Sequence, residues 1–262
     1  MQLNRKIGLI VTGCVFTAVL VSAWLLSPDG FNTKLWWVGS AVCHQLPDHS
    51  FHLNGQQFPL CARCTGTYLS AFIALLYFMT RGKRAAIPRK DLLVVFILFS
   101  LFWVIDGINS FSFEVLHQQW FYAPSNLLRF LSGITMGMTF ALTIMTIFNM
   151  VFWKNTQAIS LVKDQREFAA LLVVESPLLF FPLNKITFIF NLAGLFSTLT
   201  VLTLIALLYA ILIVIIAHKE GSYASLLDAS VPLLLGFSAA IAQIFLLVHL
   251  RSAISPSTIF HL

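Results

Sequence analysis

The chain has 262 residues, of which 58% are hydrophobic and only 10% charged, with a mean hydropathy of +0.87. Soluble domains carry about 25% charged residues, so this chain has too few charges to coat a water-facing surface of its size, and a soluble or disordered protein is excluded. The net charge of +6 is read as a matter of membrane topology, so no nucleic-acid partner is expected and membrane lipids are the expected surroundings.

In lipid every backbone N–H and C=O must be paired within its own segment, and a hydrocarbon core about 30 Å thick takes roughly 20 apolar residues of helix. Such runs recur. The first is Ile7–Leu26, preceded by Arg5 and Lys6. Its apolar stretch is longer than a signal-peptide core, which predicts an uncleaved anchor. Residues 65–80, 92–108 and 126–153 follow. Residues 168–183 make a shorter run that holds Glu175, Ser176, Pro177 and Pro182. The run 186–217 amounts to about 48 Å of helix, so it must tilt, kink or protrude, and 226–250 closes the series. The expected fold is an all-α, polytopic bundle of about seven transmembrane spans in one integral membrane domain, residues 1–262. Six spans remain if 168–183 is re-entrant.

Basic residues in short loops set the orientation. With the N-terminus cytoplasmic, eleven of the 16 Lys and Arg fall on the inner side. Arg81, Lys83, Arg84, Arg89 and Lys90 lie within ten residues of one another and resist translocation. The loop 27–64 is therefore expected outside the cytoplasmic membrane. Trp24, Trp36, Trp37, Trp120 and Tyr122 suit an interfacial aromatic belt.

That loop gathers the unusual chemistry. It carries three of the four cysteines, Cys43, Cys61 and Cys64, with His44, His49 and His52. Cys61-x-x-Cys64 stands at the mouth of the second span, where a helix N-terminus and Arg63 favour thiolate. With Cys43 and His44 it offers an S₃N donor set, which suits zinc; His49 or His52 could replace His44. Two other outcomes stay open, a structural disulfide with one spare thiol and a redox-active pair. Cys14, in the first span, reads as a small buried hydrophobe.

Further charges lie at the same edge. Asp106 is expected at the outer end of the third span and Arg129 one turn into the fourth, at a depth where they should pair. Gly133 and Gly137 form a small-xxx-small stripe for close helix packing. Glu175 is the deepest ionisable residue, and an intramembrane carboxylate is a functional candidate by default. Arg251, near the end of the last span, is placed to join the polar cluster.

Cys43-His44-Gln45, His49-Ser50-Phe51, Gly55, Cys61-Ala62-Arg63-Cys64-Thr65-Gly66 with Tyr68, Asp106-Gly107, and Asn126-x-x-Arg129 through Gly133 together resemble a known group. It is the uncharacterised prokaryotic membrane-protein family catalogued as domain of unknown function 2085. The likeness covers about residues 40–140, with His49 where the family commonly has Arg, and it implies a membrane protein with a Cys/His site but no reaction. The C-x-x-C at a helix mouth is also similar to quinone-linked membrane thiol oxidases. Those enzymes need a second cysteine pair in another outer loop, and here only Cys43 is offered.

The expected function is a multi-pass membrane protein with an extracytoplasmic metal site, zinc held by Cys43, His44, Cys61 and Cys64. Beside it Arg63, Asp106 and Arg129 would line a pocket for an amphiphilic, lipid-linked or anionic substrate. Four protein ligands make a closed structural site, so catalysis there would require one, His44, to leave. The alternatives are thiol–disulfide exchange through Cys61 and Cys64, and a transporter using Glu175.

Overall fold

Leu, Ile, Val and Phe dominate the long apolar runs, and lipid leaves such a run one way to satisfy its backbone, as helix. The computed structural model of the chain describes residues 2–254, without the side chains of residues 2–6. Arg5 and Lys6 of the orientation argument therefore lie outside the described side chains. Six described helices are long and apolar enough to cross a membrane. They are α1 (Gln2–Leu26), α3 (Ala62–Met79), α4 (Lys90–Val115), α5 (Asn126–Phe152), α7 (Thr187–Ile216) and α8 (Ser230–Ile254). Two shorter helices complete the set among the described residues, α2 (Phe31–Ser40) in the loop between α1 and α3, and α6 (Gln165–Glu175).

The uncertain span resolves in an unexpected form. α6 stops at Glu175 and the chain continues as a 3-10 segment, Ser176–Leu183. Pro177 and Pro182 lack the N–H that an α-helical ladder needs there. Eleven α-helical and eight 3-10 residues span about 32 Å, enough for one crossing. At one end Tyr77, in the last turn of α3, donates to the Glu167 carbonyl at 2.8 Å. At the other end the Phe181 ring lies 5.6 Å from Phe58 and 5.7 Å from Phe130, beside the start of α3. The segment runs the full length of α3, so it is a seventh traverse and not a re-entrant loop.

α3 and α5 form the centre of the bundle. Gly66 and Gly133 face each other, and a Cβ on either would strike the partner helix's backbone, at the Phe130 carbonyl and the Arg63 carbonyl respectively. The small-residue stripe expected on α5 thus brings the two backbones into direct contact. α1 packs chiefly along α8 and leaves most of its surface outward.

Between α2 and α3 the chain folds into a β-hairpin, β1 (Ser50–Leu53) with β2 (Gln56–Cys61). Asn54 and Gly55 both take positive φ, 52° and 78°, the backbone that a two-residue hairpin turn demands. Asn54 also donates to Thr187 Oγ1 at 3.1 Å, tying the hairpin to the start of α7. At the opposite edge β3 (Arg84–Ala86) pairs in parallel with β4 (Gln157–Ser160).

Candidate metal centre

Cys61 ends β2 and is the N-cap of α3, so the strand delivers one thiol and the first helical turn delivers Cys64. Cys43 comes from the turn after α2. Gln45 holds that turn in place: it is buried, takes φ 55°, and donates from Nε2 to the Trp36 and Pro59 carbonyls at 2.8 Å each. Arg251 of α8 clamps the same turn, donating to the Ser40 and His44 carbonyls at 2.9 Å each and also to that of Cys43. The Sγ atoms of Cys43, Cys61 and Cys64 all lie within 4.8 Å of one another. None is in a disulfide.

The three sulfurs act on one another. Hydrogen bonds from Cys43, then Cys64, hold the Cys61 thiol well below the ordinary thiol range, with His44 adding to the effect against the cost of burial. The hydrogen bond to Cys61 pushes Cys43 up to about 12, with burial acting in the same direction. The Cys61 N–H also donates to Cys43 Sγ at 3.2 Å. Three clustered sulfurs, one of them pushed towards thiolate by the other two, are the kind of donor set a soft metal takes. His44 does not belong to the three-sulfur group. It is exposed, close enough to Cys61 to act on its thiol, and stands edge-on to His49 with ring centroids 5.1 Å apart.

The charged residues pair differently from the sequence reading. α4 does not end near Asp106 but continues to Val115, which buries Asp106 completely inside the bundle. Its partner is Arg63, whose Nε donates to Asp106 Oδ2 at 2.9 Å and whose second nitrogen reaches the same oxygen and Ser110 Oγ. Tyr122 donates to Oδ1 at 2.8 Å and Ser132 to Oδ2 at 3.1 Å. Arg129 pairs instead with Glu114 at 2.6 Å, near the α4 end. His49 Nε2 lies 2.5 Å from the same Glu114 oxygen and 3.3 Å from Arg129. Burial, then the Arg129 charge, lowers the His49 pKa from its ordinary value, with the Glu114 charge acting against them. Glu175 is not brought to this edge. It is buried beside Ser70, about 9 Å further along α3 than Cys64, and neither carboxyl oxygen has a hydrogen-bond partner among the described residues.

Glu114, Gln45 and Tyr122 were missed by the sequence reading as site residues. Gln45 stood inside the Cys-His-Gln motif and could have been weighed. Glu114 lies beyond the helix end that the sequence pattern predicts at Asp106-Gly107, so no signal there points to it.

A family model described as "Predicted membrane protein (DUF2085)" matches residues 43–143. An uncharacterised protein of Methanothermobacter thermautotrophicus is 32% identical over 100 residues, which is 38% of this chain and 81% of the relative. The chain belongs to this family. An uncharacterised protein of Methanocaldococcus jannaschii is 29% identical over 123 residues, 46% of this chain and 72% of the relative. No solved structure matches. The matched stretch contains all three clustered cysteines and both ion pairs, and it makes the chain a membrane protein by family as well as by its apolar helices.

Proposed function

We propose that the protein binds one zinc ion through Cys43, Cys61 and Cys64 at the extracytoplasmic edge of the membrane. A fourth ligand would come from His44 after a small rotation of its exposed ring, or from water. The observation that carries this reading is three sulfurs within 4.8 Å of one another and free of disulfides. Four-coordinate zinc with sulfur ligands at about 2.3 Å needs sulfurs only slightly closer than that. The extracytoplasmic side follows from the crowd of cations at the far ends of α3 and α4, and a reporter fused in the hairpin tests it.

The substrate we assign is amphiphilic, because the site lies at the lipid edge. When bound, the metal would polarise a phosphoryl or carbonyl oxygen or activate water. The chain's own contribution is a charged wall next to the thiols. Arg129, with Glu114 part-exposed beside it, can orient an anionic head group, and His49 can hold or pass a proton at Nε2. Arg63 and Asp106, already saturated with each other, keep α3 and α4 in register for that wall.

Thiol–disulfide exchange competes with this reading, because a thiolate at Cys61 flanked by two thiols is also its starting state. Elemental analysis of the purified protein separates the two. About one zinc per chain, lost in Cys61→Ser while the variant still inserts, supports the metal reading. Metal-free protein in which Cys43 oxidises onto Cys61 rejects it.

A further inference from the structure

The cation-rich edge, opposite the cysteines, carries a second site. A cavity of about 760 Å³ opens there between α3, α5, α7 and α8, within the size range of small-molecule and lipid sites. Its depth is apolar, walled by Phe72, Leu76, Met145, Leu207 and Leu233, while Lys83 stands at its edge. No acidic residue lines it.

Three basic side chains crowd this end of α3, and the structure uses them differently. Arg81 and Arg84 share one carboxylate, Glu167, at 3.5 and 2.9 Å, which offsets one of their two charges and holds both side chains to it. Lys83 has no carboxylate partner among the described residues. Its ammonium is instead held above the Trp153 ring, 4.4 Å from the centroid, and donates to the Ala224 carbonyl. These contacts fix the position of the charge without cancelling it, and they leave ammonium protons for another acceptor. Trp153 cannot serve a ligand in the same way, because its N–H is taken by Asn149 Oδ1 at 2.8 Å.

A fixed, uncancelled cation above an apolar cavity between membrane helices has the chemistry of an anionic amphiphile's complement. We propose that this cavity binds one anionic glycerophospholipid, with an acyl chain between α3, α7 and α8 and the head-group phosphate on Lys83. The proposal is independent of the metal centre.

Native mass spectrometry of the detergent-purified protein tests it, with equal amounts of phosphatidylglycerol and phosphatidylcholine supplied. The expected result is one retained lipid per chain with phosphatidylglycerol preferred about fivefold, the effect of a single cation at a membrane surface. Lys83→Gln should bring the two lipids to parity, and Lys83→Arg should keep the preference. Leu207→Trp, which fills the cavity, should lower retention of both lipids without touching the zinc content. Equal retention by the unaltered protein overturns the proposal, as does a preference that survives in Lys83→Gln. Displacement of phosphatidylglycerol by inorganic phosphate alone overturns it too, because the site would then read the anion and not the lipid.

Discussion

Two ion-pair clusters stand a few residues apart at the same edge of the bundle and meet different solvents. In one, Asp106 is fully buried and its carboxylate receives Arg63, Tyr122 and Ser132. In the other, Glu114 keeps 31% of its side chain exposed, and Arg129 Nε has no hydrogen-bond partner among the described residues. A buried charge whose acceptor sites are all filled has nothing to offer a ligand, and its removal strands its partner in a low-dielectric interior. A pair that is open on one side can exchange partners. The first cluster is built as scaffold, and the second is the one the proposed function uses for an anionic head group.

The largest expected effect follows from the sealed pair. Asp106→Ala leaves Arg63 unpaired inside the bundle and should cost about 3–5 kcal/mol, read as a lower unfolding midpoint in detergent. An unchanged midpoint would remove the scaffold assignment. Glu114→Gln keeps the shape of the open cluster and lets water reach Arg129, so the loss should be smaller, about 1–3 kcal/mol. If Glu114→Gln proves the more damaging of the two, the contrast is reversed.

A third cluster at the opposite edge sharpens the comparison through pH. The Glu167 carboxylate accepts from the Lys163 backbone N–H at 2.8 Å and from Arg84 at 2.9 Å, with Arg81 3.5 Å away. A carboxylate paired in this way in the folded state contributes stability that is present above its unfolded pKa, about 4.3, and lost as pH falls below it. Unfolding midpoints measured from pH 6 to pH 3 should therefore fall less steeply for Glu167→Gln than for the unaltered protein. Parallel curves would show that the bridge is worth nothing, as many part-exposed pairs are.

Hydropathy made the long helices legible, because a run of Leu, Ile, Val and Phe in lipid has no other backbone solution. It failed where polarity does not mean exposure. Asp106-Gly107-Ile108-Asn109-Ser110 reads as a helix end, yet the helix continues because the intervening loop covers those polar groups. Asn109 donates to the Tyr122 carbonyl and accepts from Phe121 N–H, and Ser112 donates to the Gln118 carbonyl. That one misplaced end moved Asp106 to the surface on paper and gave it the wrong arginine. The convergence of Cys43 on Cys61 and Cys64 was legible from residue type. The device that produces it was not, since Gln45 acts through backbone carbonyls far along the chain. In the same way Pro177 and Pro182 announced a broken segment, but only the rings around Phe181 show that the broken segment still crosses.

Arg251 gives the cysteine turn a tether to the last helix, although that helix lies outside the stretch that the family model matches. The guanidinium grips three carbonyls within five residues, so a piston-like shift of α8 would pull directly on the peptide that carries Cys43. Whatever leans on the far end of that helix has a mechanical line to the sulfurs, roughly the thickness of the bilayer away.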